Sequence, residues 1–107
     1  MEEDDSSPVQ VPAVRSPQLS VLTPVVKPGE KLIVKIVHPP GEKFAWVGFY
    51  KIDAGHKDYI KYTYLNAIDN NTYEDILAPD EPGKYNFRLF KDELYQPLAV
   101  SEPVEVK

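Results

Sequence analysis

From Gln18 onward, apolar and polar residues alternate in short runs that are separated by proline, glycine and asparagine. This period of two is typical of β-strands that bury one face. No run of ten or more residues has helical periodicity, and the eleven prolines of the chain would interrupt one. The pattern therefore predicts an all-β chain with the strand spacing of a β-sandwich, about seven strands at 18–22, 31–38, 44–52, 57–65, 72–77, 85–90 and 98–106.

A Tyr-x-Phe step after a Pro-Gly turn narrows the fold further. Immunoglobulin-type domains place a tyrosine at the start of strand F, two residues before a core position, and its hydroxyl bonds back to the preceding loop. Tyr85 and Phe87 have this spacing. We therefore predict an immunoglobulin-like antiparallel sandwich whose core contains Phe87, Trp46 of the third strand and Val34 or Ile36 of the second. Pro103, within the last predicted strand, predicts an edge position or a kink.

Composition restricts the class of protein and its partners. The chain has 107 residues, no cysteine and a formal net charge of −5. An acidic surface disfavours nucleic acid, since phosphate binding requires a basic one. The lack of cysteine favours a reducing compartment, and no apolar run reaches the roughly 18 residues of a transmembrane helix. We predict a cytoplasmic protein with a disordered, acidic and proline-rich leader at residues 1–17 and one folded domain at 18–107.

No group of residues predicts catalysis or metal binding. The two histidines, His38 and His56, are far apart in sequence, and the nearby carboxylates of Asp53 and Asp58 are typical of a loop. The sequence has no glycine-rich phosphate loop, and nothing indicates a serine or threonine beside an oriented base. We therefore predict that the protein is not an enzyme and has no catalytic, cofactor-binding or metal-binding residues.

The side chains opposite the predicted core indicate an interaction surface. If Trp46, Tyr85 and Phe87 point inward, alternation turns their neighbours outward. An apolar, tyrosine-rich patch with an arginine has the composition of protein interfaces. Two alternatives stay open: another segment covers the patch, or the aromatic residues serve as strand formers. The candidate protein-binding residues are Val47, Phe49, Tyr62, Tyr64, Arg88 and Phe90, with Tyr59 as the alternative on its strand.

The stretch 46–64 contains WVGFYKI, then Lys57-Asp58-Tyr59, and then Tyr62 and Tyr64. With these residues it resembles the SKICH domain. That family has a Trp-x-Gly-x-aromatic-Lys-aliphatic strand, a short loop, a basic-Asp-Tyr step and an aromatic strand, and Ala45 stands here where an acidic residue is usual. The resemblance implies an immunoglobulin-like, non-catalytic module that directs phosphoinositide phosphatases to membranes or lets autophagy adaptors bind other proteins. Small Trp-x-Gly-x-Tyr sandwiches also occur as accessory modules beside hydrolases, and these residues do not separate the two.

The predicted function is a protein-interaction, targeting or self-assembly module, at the N-terminal end of a larger intracellular protein. Its partner would be another protein or a second copy of the chain, and any membrane targeting would act through partners. The alternatives are an enzyme's accessory domain that binds carbohydrate or a lipid headgroup, and a structural spacer. Rings in a flat row would favour sugar, rings around an arginine in a crevice would favour a peptide or an anion, and a surface without an apolar patch would favour the spacer.

Overall fold

Strands form nearly all the regular structure of residues 16–92 and 95–107, the parts of the chain that the computed structural model describes. Within these residues there are nine strands, one short 3-10 helix at Leu65–Ala67 and no α-helix. The predicted leader lies almost entirely outside the described residues and stays a prediction. The strands are β1 Gln18–Val21, β2 Val25–Val26, β3 Val34–Val37, β4 Trp46–Lys51, β5 Lys61–Tyr64, β6 Thr72–Tyr73, β7 Gly83–Phe90, β8 Pro97–Val100 and β9 Val104–Val106.

The strands form two sheets that pack together. The smaller sheet has the order β1-β3-β6, and the larger has the order β2-β9-β7-β4-β5, with β8 beside the second half of β7. The pair of β2 and β9 is parallel, whereas the other pairs of named strands are antiparallel. The predicted all-β sandwich is therefore confirmed at the level of two packed sheets.

Seven predicted strands overlap the observed ones, and the last of them is divided in two. The division falls at Pro103, between β8 and β9. Proline cannot donate a ladder hydrogen bond, and Ser101 fills part of this gap because its Oγ accepts from the amide of Phe87 at 2.8 Å. The last predicted strand is thus interrupted before Val104. The two-residue strand β2 was not predicted, because Val25 and Val26 are too short a run to show alternation.

Apolar side chains from both sheets meet in one core. Phe49 of β4 stacks on Tyr85 at a centroid separation of 5.2 Å and contacts Phe87 at 5.0 Å. Burying a ring of this size stabilises the fold by about 1.5–3 kcal/mol. The strand residues of this core are Leu19, Val26, Val34, Ile36, Val47, Phe49, Tyr73, Tyr85, Phe87, Leu89, Val104 and Val106.

The predicted orientation of β4 is wrong. In the register with β7, Phe49 lies opposite Phe87 and shares the inner face with it, whereas Trp46 lies opposite Phe90 on the outer face. Val47 and Phe49 are 0% and 1% exposed in the inter-sheet core, so neither lies on the surface for which it was predicted. Both faces of β4 are apolar, and alternation alone gave no basis for choosing between them.

The predicted hydrogen bond of Tyr85 is confirmed. Its hydroxyl donates to the carbonyl oxygen of Glu81 at 2.6 Å. Burial raises the pKa of Tyr85, which keeps the hydroxyl in its donating form. The bond fixes the start of β7 to the loop that precedes it.

Candidate functional site

The outer face of the larger sheet carries a layer of aromatic side chains. Trp46 lies nearly parallel to Phe90, with ring centroids 4.4 Å apart and an interplanar angle of 23°. Tyr50 follows on the same face of β4, and its hydroxyl donates to the carbonyl oxygen of His56 at 2.5 Å. Burial raises the pKa of Tyr50 to about 12. Trp46, Tyr50 and Phe90 are all buried, and they form the floor of this face.

The segment after β7 is attached to the same floor. The indole Nε1 of Trp46 donates to the carbonyl oxygen of Asp92 at 2.9 Å. Further along, the ring of Tyr95 meets Trp46 edge-on at 5.9 Å and Phe90 at 6.1 Å. Tyr95 has a φ of 58°, a left-handed conformation that is rare for a bulky residue. Its ring contacts with the floor offset that cost.

A shallow pocket of about 190 Å³ opens above this floor. Tyr59, Tyr62 and Tyr64 are 40%, 42% and 41% exposed. Tyr62 meets Trp46 edge-on at 5.7 Å and Tyr59 at 5.0 Å, so the rings are packed against one another. The described residues that line the pocket are all aromatic, and we call this set the aromatic pocket: Trp46, Tyr59, Tyr62, Tyr64 and Tyr95.

Arg88 lies behind the aromatic pocket and is only 4% exposed. Its guanidinium carbon is 4.2 Å from the ring centroid of Tyr50, and no described carboxylate forms an ion pair with it. Nη1 donates to Nδ1 of His56 at 3.0 Å; since a guanidinium only donates, Nδ1 is the unprotonated ring nitrogen. Arg88 therefore holds the loop after β4 in place. Its other nitrogen contacts, at 2.8–3.3 Å, are Oδ1 of Asn86 and the carbonyl oxygens of Lys51, Ile52 and Ala54.

The structure separates the predicted binding residues into three groups. Tyr62 and Tyr64, with the alternative Tyr59, are exposed and line the aromatic pocket. Arg88 and Phe90 lie on the same face of the sheet but are buried beneath other side chains. The prediction that they are exposed is wrong, because the aromatic layer and the loop after β4 cover them. Val47 and Phe49 belong to the core on the opposite face.

Sequence reasoning missed two residues of the aromatic pocket. Trp46 was assigned to the core because immunoglobulin-type domains bury a tryptophan there, and it faces the other way. Tyr95 lies outside every predicted strand, and only its aromatic character in a polar loop could have marked it. The register of β4 with β7 puts Trp46 beside Phe90 on the outer face, and Tyr95 joins them because its ring packs against both.

The titratable side chains of the described residues do not converge on a metal site. Residues 16–92 and 95–107 contain no group of three or more histidine, aspartate or glutamate side chains that could hold a metal ion. Their helical structure likewise includes no segment long and apolar enough to cross a bilayer. His38 is exposed at the end of β3, well separated in the chain from His56 and its contact with Arg88.

The sequence matches no protein-family model and no curated protein.

Proposed function

We propose that the chain is a non-catalytic protein-interaction module and that the aromatic pocket is its binding site. The observation that carries this proposal is the exposure of three tyrosines around a buried tryptophan. Tyrosine and tryptophan are enriched among the interface residues that contribute most of the binding energy, because they combine apolar area with a polar group. The hydroxyl groups of exposed tyrosines can bond a partner while the rings desolvate it.

The arrangement of the rings favours a protein partner over sugar or an anion. Neighbouring rings meet at interplanar angles of 69° to 87°, so they do not form the flat row that would stack on a sugar. Arg88 is buried behind Tyr50 and already bonded to carbonyl oxygens, so it is not offered to an anionic group. The exposed tyrosines also disfavour a purely structural spacer. A pocket of about 190 Å³ suits a single large side chain of a partner.

We also propose an immunoglobulin-like arrangement of the strands, and with it the SKICH resemblance. Strands β1, β3 and β6 would take the positions of A, B and E, and β9, β7, β4 and β5 those of G, F, C and C′. The hydrogen bond from Tyr85 to Glu81 supports this assignment. Under this proposal the chain serves as a targeting, adaptor or self-assembly domain of a larger cytoplasmic protein.

Selection from a random decapeptide library displayed on phage, against the intact chain, tests the function. We expect the selection to enrich peptides that bind the chain, with an affinity measured by the fluorescence emission of Trp46. Tyr62→Ala should lower this affinity at least about tenfold, which is the usual range for an interface hot spot. Leu77→Ala is the matched control, because Leu77 is exposed at 65% and is not in the aromatic pocket. Circular dichroism verifies that both variants fold. Failure to enrich peptides, or equal binding by Tyr62→Ala, would refute the proposal.

A further inference from the structure

One edge of the larger sheet lies beside the aromatic pocket. Strand β5 is the last strand of that sheet, and it pairs only with β4 among the strands of the described residues. An edge strand presents unpaired amides and carbonyl groups that can bind another extended chain. The side chains of Tyr62 and Tyr64, both on β5, line the pocket, so the edge and the pocket are built from the same residues.

The hydrogen-bond pattern of β5 defines which backbone groups face outward. The amide of Leu65 donates to the carbonyl oxygen of Ala45 at 3.0 Å. Along an antiparallel pair, residues alternate between bonding to the partner strand and pointing away from it. In the observed register, Thr63 therefore bonds toward β4, and the backbone groups of Tyr62 and Tyr64 point away from the sheet.

The usual protections of an edge strand are weak here. Strand β5 contains no proline, and its lysine is turned aside because Nζ of Lys61 donates to the carbonyl oxygen of Asp75 at 2.8 Å. Lysines and prolines are the residues that commonly block pairing at an edge. The outward amide and carbonyl of Tyr62 and the outward amide of Tyr64 are thus available to a second strand, whereas the carbonyl oxygen of Tyr64 already accepts from Oγ1 of Thr63 at 3.4 Å.

The segment that contains β5 differs in charge from the whole chain. The net charge of the protein is −5, yet residues 57–64, KDYIKYTY, have two lysines against one aspartate. Nζ of Lys57 lies 5.7 Å from the ring centroid of Tyr95, at the rim of the aromatic pocket. No charged residue is among the described residues that line the pocket itself. An acidic residue of a partner would therefore lie beside the pocket, near Lys57, and an apolar residue would lie inside it.

We propose that β5 binds an extended acidic peptide by strand addition, with one large apolar side chain of the peptide in the aromatic pocket and an acidic residue near Lys57. The inference rests on the proposed function and specifies its ligand. Backbone hydrogen bonds to Tyr62 and Tyr64 would supply affinity, and the pocket would supply selectivity for one side chain, as in other cases of strand addition. The peptide's side chains on alternate positions would point to the other face of the sheet, on which Lys61 contacts Asp75.

The best decapeptide from the library, synthesised with one N-methyl group at each position in turn, tests strand addition on the unaltered protein. We expect methylation of every second amide near the anchor residue to lower the affinity about tenfold, because only alternate amides of the peptide bond to the edge. Methylation of the amides between them should change the affinity little. The enriched sequences should combine an apolar anchor with an acidic residue, and Lys57→Gln should weaken binding about threefold and reduce its salt dependence.

The outcomes distinguish this inference from the proposed function. Loss of binding in Tyr62→Ala without alternation in the N-methyl series would leave the pocket as a binding site and overturn strand addition. Equal binding by Tyr62→Ala would overturn both. Selected peptides without acidic residues would overturn the charge assignment. Analytical ultracentrifugation of the chain alone tests whether a second copy of the chain occupies this edge. A dimer that is disrupted by Tyr62→Ala would overturn the peptide as the occupant.

Discussion

Replacing Gly48 by alanine should destabilise the outer aromatic layer. Gly48 lies on β4 between Trp46 and Tyr50, and a Cβ at this position would be 2.7 Å from Cε1 of Tyr50 and 3.0 Å from Cζ3 of Trp46. Real Cβ atoms do not approach so closely, so at least one ring must move. Neither ring moves freely, because Trp46 donates to Asp92 and Tyr50 donates to His56. Overpacking of this kind costs about 1–3 kcal/mol.

Urea unfolding, followed by the emission of Trp46, measures the effect. Alanine is otherwise favoured over glycine within a strand by about 0.5–1 kcal/mol, so a net loss requires the clash to exceed that gain. We expect Gly48→Ala to lower the free energy of unfolding by about 1–3 kcal/mol. The matched control is Gly41→Ala, since no atom lies within 4 Å of a Cβ added there; it should stay within about 0.5 kcal/mol. Equal urea midpoints of unfolding for Gly48→Ala and Gly41→Ala would refute the packing of Trp46 and Tyr50 around Gly48.

Three further predictions concern the buried rings, all measured by urea or pH titration. Phe49→Ala should lower the free energy of unfolding by about 3–5 kcal/mol, and Phe44→Ala, at a residue 62% exposed, by much less; similar losses would contradict the orientation of β4. The hydroxyl of Tyr73 is buried and has no hydrogen-bond partner among the described residues, so Tyr73→Phe should raise the free energy of unfolding by about 1 kcal/mol. Tyr85→Phe should lower it by a similar amount, because it removes the hydrogen bond to Glu81. A loss of stability in Tyr73→Phe would indicate that its hydroxyl is bonded. Burial raises the pKa of Tyr50 and of Tyr73 to about 12 from 10.0, so the folded state favours the neutral phenols and stability should fall as the pH rises from 10 to 12. Phenolate absorbance should show that these two phenols stay neutral until the pH approaches 12, and their ionisation near pH 10 would contradict this.

The approximate positions of most strands could be predicted because local residue types determine them, whereas β2 and the exact ends of the other strands could not. Alternation over Val34 and Ile36 gave the inner face of β3 correctly, since lysine occupies the position between them. Proline at position 103 interrupted the last strand as expected, because it has no amide hydrogen to donate. The bond from Tyr85 to Glu81 also followed from local spacing. Each of these depends on a few neighbouring residues.

The orientation of β4 could not be predicted in the same way. Val47 and Phe49 are as apolar as Trp46 and Tyr50, so burying either pair satisfies the hydrophobic effect. What decides the choice is the register with β7, which places Phe87 opposite Phe49. That register is a property of two strands that are far apart in sequence, and no local pattern contains it. Val47 and Phe49 were assigned to the site for the same reason, because both lie on β4 and their exposure depended on that choice.

Under the proposed function, a strand with two apolar faces separates stability from binding in this fold. The inner face, with Phe49, is covered by the smaller sheet and contributes core energy. Among the described residues no sheet lies above the outer face, so Trp46 and Phe90 are covered by rings from β5 and by Tyr95. Those covering rings are themselves part exposed, because nothing described lies above them. A partner that contacted Tyr62 would therefore meet a ring already held by the buried floor, and the side chain of Tyr62 would lose less entropy on binding than a side chain on a mobile loop.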